Sequence, residues 1–227
     1  MQLSTDIHMA SQSPAPQQTV HLVESDLASR AAVARLLRDN GYDVAEYDDS
    51  EEFASASDEP RAGCVVISAD QGSMDRGMIR DQPGAPLPVI YVSQVDDVRA
   101  SVEAMKSGAV DFLLKPIDKH ALLRAVAAAF ELDHRERSAF IARQSIRSCA
   151  VSLTPRERQV FEAVTSGLMN KVIAYDLGIS EIMVKVHRGR VMRKMNSRTL
   201  PDLVRKYDVL QQTLAESTEL RKITALN

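Results

Sequence analysis

The sequence predicts two domains of different class: an α/β domain with a doubly wound, five-stranded parallel sheet, then an all-α domain of four helices. Short apolar runs alternate with helical segments over residues 19–133, as in parallel α/β folds. Residues 152–227 show helical patterns only. Charge divides the chain too: residues 1–130 carry 11 Lys+Arg and 20 Asp+Glu, whereas residues 151–227 carry 13 and 8. The basic region is therefore the one expected to meet a polyanion.

Length and composition exclude several classes of protein. The 227 residues suit two small domains, and two cysteines cannot form a disulfide framework. No apolar run approaches the roughly 18 residues that cross a bilayer, so no membrane contact is expected. No paired carboxylates, metal-spaced His/Cys cluster, nucleophile elbow or phosphate-binding glycine loop is present, so we expect neither an enzyme nor a cofactor or metal site. A cytoplasmic location is the default expectation.

The boundaries expected from these patterns are a flexible tail over 1–18, the α/β domain over 19–133, a helical linker over 134–151 and the helical domain over 152–227. The tail is rich in Ser, Gln and Pro and lacks the basic start and apolar block of a secretory signal. The linker contains neither Gly nor Pro, which favours one long helix, either as a solvated connector or paired with a second copy. Cys149 lies beside Arg147, so a redox role is a minor alternative.

Five apolar runs are the strands of the predicted sheet: TVHLVES, YDVAEY, GCVVIS, PVIYVS and VDFLL. The helix after the first run should end at Gly41, and Ser50 and Asp118 are candidate caps of two later helices. In the first helix the residues that recur at helical spacing are Leu27, Ala31, Ala34 and Leu37.

Polar residues follow four of the five strands. They are Glu24, Ser25 and Asp26 after the first, Ser68 after the third, Ser93 after the fourth and Lys115 before Pro116 after the fifth. Functional groups collect at the carboxyl ends of parallel strands. This arrangement resembles the receiver domain of response regulators, of flavodoxin-like fold, over about residues 19–133. The match is closest in VEAMKSGAVDFLLKPI, which is similar to receivers of the nitrogen-fixation type.

The resemblance implies an acidic pair that holds Mg²⁺, an aspartate that accepts phosphate, and a lysine–proline bond that is cis in many receivers. Ser93, Phe112 and Lys115 match the switch hydroxyl, the switch aromatic and the conserved lysine. Ser25 and Ser68 depart from the pattern, because each stands where a carboxylate is expected; counting back from Gly77 places Ala69 at the acceptor position instead. Mg²⁺ needs hard oxygen ligands. We therefore expect a receiver without its acceptor, independent of phosphorylation.

Three other interpretations of this pocket stay open. In the first interpretation, Ser68 is a hydroxyl at the end of a strand without a regulatory role. In another, Asp70 forms a shifted acceptor site with Glu24 and Asp26, although two residues of displacement move a carboxylate by more than about 6 Å. In the third, Lys115 has a structural role and pairs with Glu24.

The C-terminal domain carries local motifs of a helix-turn-helix. Thr154, Pro155 and Glu157 form a capping box with proline at the first helical position. Ser180 is expected to cap a later helix. Between these caps, the small residue, the turn glycine and the apolar anchor that a helix-turn-helix needs are found at Ala174, Gly178 and Val184.

These motifs resemble the LuxR-type class of quorum-sensing and nitrate regulators over about residues 152–208. The family signature is met at Leu153, Thr154, Arg156, Glu157, Ile173, Ala174, Leu177, Ile179, Ser180, Val184, His187 and Lys194. It departs at Met183, usually threonine. The resemblance implies binding to double-stranded promoter DNA, as a homodimer on an inverted repeat. The last helix would pair the two copies through Leu203, Val204, Tyr207 and Leu210.

A projection at about 100° per residue gives the recognition helix two faces. Val184, His187, Val191 and Met195 should pack inward, with His187 as a structural histidine. The opposite face should enter the major groove and consists of Ile182, Lys185, Val186, Gly189 and Arg193. Phosphate contacts are expected from Lys171, Arg188, Arg190 and Lys194.

The predicted function is that of a DNA-binding transcriptional regulator whose receiver-like domain sets dimerisation or senses a protein partner or small ligand. The alternatives are a conventional response regulator phosphorylated at Asp70 and an interaction protein that sequesters another regulator.

Overall fold

The fold was analysed in a computed structural model, which describes residues 18–56, 61–68 and 84–224, with side chains of the last helix as far as Gln212. The described chain divides into two compact units; the first ends at Arg137 and the second begins at Ser138. Of the predicted tail only Gln18 is described, and the domain boundaries stay predictions. Asp70 lies outside the described residues.

The first unit is a five-stranded parallel sheet with helices, as the sequence predicted. The strand order is β2-β1-β3-β4-β5, so the chain reverses direction across the sheet after β2. Its elements are β1 (Thr19–Val23), α1 (Leu27–Arg38), β2 (Asp43–Tyr47), α2 (Ser50–Ser55), β3 (Gly63–Ser68), β4 (Val89–Ser93), α3 (Val98–Lys106), β5 (Asp111–Leu114) and the start of α4 (Lys119–Val151).

The two central strands β3 and β4 are buried along their whole length. This is the pattern of a parallel sheet covered on both faces. Gly63 opens β3 at a φ of +120°, and a Cβ there would lie 1.9 Å from the carbonyl oxygen of Thr19. Only glycine fits both that backbone conformation and that approach of β1 to β3.

Two local predictions in this unit were wrong. In α1 the buried residues are Val33, Ala34 and Leu37, whereas Leu27 is 69% exposed and Ala31 is exposed. The bulkier Val33 sets the inward face together with Leu37, four residues on. Helix α2 is capped by Asp49, whose carboxylate accepts a hydrogen bond from the Glu52 amide at 2.8 Å, and Ser50 is instead its first helical residue.

Helix α4 runs unbroken for 33 residues, as the absence of Gly and Pro predicted. Asp118 accepts from the Ala121 amide at 2.7 Å at its start. Further along, Asp133 is 1% exposed and accepts hydrogen bonds from the Gly63 amide at 3.1 Å and from Arg137 at 2.9 Å. The buried carboxylate thus ties α4 to the amino-terminal end of the sheet.

The second unit packs four helices against the last turns of α4. Its core includes Ala150, Phe161, Ile173, Val184 and Leu203. The four helices are α5 (Pro155–Thr165), α6 (Asn170–Leu177), α7 (Glu181–Lys194) and α8 (Leu200–Thr224).

Candidate functional site

The carboxyl ends of the strands bring Glu24 and Ser68 together with Lys115. The Lys115 ammonium lies 2.6 Å from Oε2 of Glu24 and 3.3 Å from the hydroxyl oxygen of Ser68. Glu24 is 6% exposed and Ser68 is 8% exposed. An ion pair at this depth neutralises the charge that a free carboxylate would present.

The carboxylates of Glu24 and Asp26 are both engaged in hydrogen bonds within the unit. Glu24 accepts from the Asp26 amide and from the Ser29 hydroxyl, each at 3.1 Å. Asp26 caps α1 and accepts from the Ser29 amide at 2.6 Å. Ser25, between them, is exposed and contributes no carboxylate. Of these two carboxylates, Glu24 is therefore paired with Lys115 and Asp26 caps α1.

The remaining pocket residues are Ser93, Phe112 and Lys115 with Pro116. Ser93 is buried; its hydroxyl oxygen accepts from the Val95 amide at 3.1 Å and lies 3.2 Å from the Val95 carbonyl oxygen as donor. Phe112 is half-buried beside the smaller apolar core of the unit. The Lys115–Pro116 peptide bond is cis, as the resemblance implied.

The turn chemistry expected of the second unit is present. Thr154 and Glu157 form the capping box, with each side chain accepting a hydrogen bond from the other residue's amide, at 3.3 Å and 2.9 Å. Gly178 has a φ of +62° in the turn after α6, and the Ser180 hydroxyl accepts from the Met183 amide at 3.2 Å. These contacts hold α6 and α7 in the helix-turn-helix arrangement.

The two faces of α7 are divided as the projection predicted. Val184, Val191 and Met195 are at most 1% exposed. His187 is half-buried, and its Nδ1 is buried without a hydrogen-bond partner among the described residues, which agrees with a structural histidine. The exposed residues of this helix that were expected to bind DNA are Ile182, Lys185, Val186, Gly189, Arg190 and Arg193.

Two basic residues expected at phosphates have partners inside the unit instead. Arg188 is half-buried and donates to the Asn170 side chain at 2.6 Å, which ties α7 to the start of α6. Lys194 donates to Glu157 at 2.7 Å and to the Ser152 carbonyl oxygen at 2.9 Å. Helical projection missed these partners because both lie far away in sequence. Lys171, Arg190 and Arg193 are exposed.

The Glu157 carboxylate is strongly stabilised in its charged form. The hydrogen bond from Lys194, followed by that from the Thr154 amide, lowers the pKa of Glu157 from 4.5 to about 2. The carboxylate is 3% exposed in the described structure. One side chain therefore caps α5 and anchors the end of the recognition helix.

The residues expected to pair two copies occupy different depths on α8. Leu203 is 1% exposed and packs in the core of its own unit, so it offers no surface to a second copy. The Tyr207 ring packs edge-on against Phe161, with 5.2 Å between centroids. Val204 and Leu210 are half-buried. For Val204, Tyr207 and Leu210 a dimer contact stays a prediction.

No helix in the ranges described combines the length and apolar character needed to cross a membrane. Nor do the described His, Cys, Asp and Glu side chains form a group of three suited to a metal ion.

Comparison with known protein families matches both units. A family described as "Response regulator receiver domain" matches residues 20–127, and one described as "Bacterial regulatory proteins, luxR family" matches residues 151–207.

Several known proteins are similar to this chain over most of its length. Nodulation protein W of Bradyrhizobium diazoefficiens is 36% identical over 194 residues, which cover 84% of this chain and 86% of the relative. The transcriptional regulatory protein FixJ of Azorhizobium caulinodans is 38% identical over 189 residues, 82% of this chain and 90% of the relative. The solved response regulator StyR is 31% identical with a TM-score of 0.67, covering 85% of this chain and 98% of StyR. The chain therefore belongs to the response regulators that join a receiver domain to a LuxR-family DNA-binding domain, and it is a transcriptional regulator.

Proposed function

We propose that this regulator controls transcription without being switched by phosphoryl transfer to its receiver domain. The observation that carries the proposal is the buried ion pair of Lys115 and Glu24 beside the Ser68 hydroxyl. Within the described residues the pocket lysine is paired with the pocket glutamate, and the residue that ends β3 is a serine.

The donors of the described pocket do not suit the Mg²⁺ ion that the receiver family implies. Mg²⁺ demands near-octahedral oxygen ligands at about 2.0–2.1 Å and is usually held by one or two carboxylates. Here Oε2 of Glu24 is bound by an ammonium at 2.6 Å, and the Asp26 carboxylate caps α1. A metal would have to displace the Lys115 cation and uncap the helix.

Ser68 is also a poor acceptor on chemical grounds. A carboxylate attacks phosphorus without losing a proton, whereas an alcohol needs a base to take its proton. Its hydroxyl oxygen accepts a hydrogen bond from Lys115 at 3.3 Å, a cation paired with Glu24. A protonated amine cannot act as that base.

The DNA-binding part of the proposal rests on the exposed face of α7. Lys185, Arg190 and Arg193 project outward together with Ile182 and Val186, on a unit with a basic excess. We propose that two copies, paired through α8 at Val204, Tyr207 and Leu210, bind an inverted repeat. The half-sites would then be about 34–36 Å apart, one helical turn of DNA. A protein partner or small ligand at the receiver would control pairing.

Intact mass measurement after incubation with acetyl phosphate and Mg²⁺ tests the proposal. We expect the wild-type protein to stay unmodified. The matched control is the double variant Ser25→Asp, Ser68→Asp, which restores both carboxylates and should gain a phosphoryl adduct. A stoichiometric adduct on wild-type Asp70 would contradict the proposal and favour a shifted acceptor. Failure to retard promoter DNA in a mobility shift would favour a regulator that sequesters a partner.

A further inference from the structure

The outward face of α7 carries a stripe of unusual composition. Ile182, Val186, Gly189 and Arg193 follow one another at spacings of four, three and four residues, so they line up along one side of the helix. Ile182 is 73% exposed and Val186 is 39% exposed, and neither belongs to the core of the unit. Three of the four positions in this stripe therefore offer only apolar surface or none.

Neither a contact nor the backbone conformation requires glycine at position 189 in the described part of the chain. It lies in the middle of a regular helix, and a Cβ built there would meet nothing within 4 Å among the described residues. A helix-interior glycine is less favourable than alanine, because its backbone loses more conformational freedom on folding. Neither a turn nor a close contact within the unit offsets that cost, in contrast to Gly63. The missing side chain makes sense if another molecule approaches the helix at this point.

The chemistry of the stripe indicates what that molecule presents. Ile182 and Val186 have no hydrogen-bonding side-chain atoms, so they cannot recognise the polar edges of bases. On base-pair edges in the major groove, the C5-methyl group of thymine is the apolar feature that aliphatic side chains contact. A bare backbone at Gly189 lets the helix lie deep enough for short aliphatic side chains to reach these methyl groups.

We propose that Ile182, Val186 and Gly189 form a methyl-reading stripe, which selects DNA sites with thymine methyl groups in the contacted major groove. Ile182 and Val186 bury the methyl groups, and Gly189 sets the distance of approach. The neighbouring Lys185 adds a donor for a guanine acceptor. This inference rests on the proposed binding of DNA through α7 and specifies the class of site that it recognises.

Removing methyl groups from the DNA tests the stripe directly. The preferred site is first selected from randomised duplexes with the full chain, and each thymine in it is then replaced by uracil, which lacks only the methyl group. We expect affinity to fall about fourfold for each contacted methyl. The double variant Ile182→Ala, Val186→Ala should bind the thymine and uracil duplexes with nearly equal affinity. Equal affinity of the wild-type protein for both duplexes would overturn the inference while leaving DNA binding intact.

A second variant separates binding from folding. Gly189→Ala should raise the thermal midpoint of the helical unit, because alanine favours the helix, and lower affinity for the selected site about tenfold, because a Cβ holds the groove away. The control Gln159→Ala, exposed on α5, should change neither quantity. Full affinity of Gly189→Ala would overturn the close approach. Selection that yields no preferred site would overturn the proposed function as well as this inference.

Discussion

Gly63 and Gly189 show how differently the two units use the same residue. At Gly63 the φ of +120° and the nearby Thr19 carbonyl leave no room for a side chain, so the fold of the sheet requires glycine. At Gly189 the described structure leaves open space around an ordinary helical backbone. The first glycine is explained by its own domain, whereas the second is explained only by a molecule outside it.

Lys115 in the first unit and Lys185 in the second differ in a similar way. Lys115 lies 2.6 Å from Glu24, and its side chain is 15% exposed, so its charge is satisfied within the receiver. Lys185 stands on the exposed face of α7. Lys185 was expected on the face that enters the major groove. Pairing of Lys115 with Glu24 was one of the interpretations that the sequence left open, and the structure shows that pair. Internal pairing therefore separates residues that maintain a fold from those available to a ligand.

The largest effect is expected from Gly63→Ala. The added Cβ would overlap the backbone of β1, so the first unit should lose more than about 3 kcal/mol of unfolding free energy. Protection of β1 and β3 amides from hydrogen exchange in the full chain measures this. Gly189→Ala is the opposite case, with an expected gain of up to about 1 kcal/mol in the second unit. Losses of similar size in both variants would remove the contrast.

Asp133→Asn should have the next largest effect. The substitution leaves the half-buried Arg137 guanidinium without its buried counter-ion, and breaking such a pair costs about 3 kcal/mol. The exposed pair of Arg35 and Asp39 is the control, with side chains 85% and 66% exposed. Asp39→Asn should cost less than about 0.5 kcal/mol. Urea unfolding of the receiver unit compares the two variants. Equal losses of unfolding free energy would contradict the assigned role of the Asp133 contact.

Lys185→Ala and Lys194→Ala should differ although both residues lie on α7. Loss of Lys185 should reduce discrimination between the preferred site and random DNA by about 1–2 kcal/mol without changing stability. Loss of Lys194 should lower stability, because Glu157 loses its partner. Competition binding with both DNAs and thermal unfolding of each variant check this pair. A stable Lys194→Ala protein with weakened DNA binding would restore the phosphate role first expected of that residue.

The smallest effect is a difference in acid stability. Because the pKa of Glu157 is lowered to about 2, its contribution is complete above its unfolded pKa of 4.5 and is lost as pH falls toward 2. In the receiver, burial and then the Arg61 charge lower the pKa of His21 from 6.5 to about 4, so stability there falls between pH 6.5 and 4. Amide hydrogen exchange of each unit should be measured as a function of pH, with Glu157→Gln as control. The two units should lose stability in separate pH ranges.

Local contacts account for most of what the sequence predicted correctly. The capping box at Thr154, the turn at Gly178 and the cap at Asp118 each depend on residues within a few positions, so their spacing is visible in the sequence. The five-stranded parallel sheet followed from the alternation of strands and helices. Burial on α7 followed from the helical spacing of Val184, Val191 and Met195.

Long-range pairs were missed because nothing in a local pattern specifies them. Lys194 and Glu157 are 37 positions apart, and the Gly63 amide and Asp133 are 70 apart. In α1 the apolar spacing taken from the sequence includes Leu27 and Ala31, which are exposed, and leaves out the buried Val33. Leu203 was assigned to a surface contact because an apolar stripe cannot distinguish a core from an interface.

Affinity for the selected DNA site, measured on the wild-type protein with and without a phosphoryl donor and Mg²⁺, tests the central claim most directly. A receiver whose pocket lysine is paired with the pocket glutamate predicts the same dissociation constant, within about a factor of two, in both conditions. Coupling between phosphorylation and DNA binding of the usual size would tighten binding by about fivefold or more. Such an increase, lost in an Asp70→Asn variant, would contradict the account.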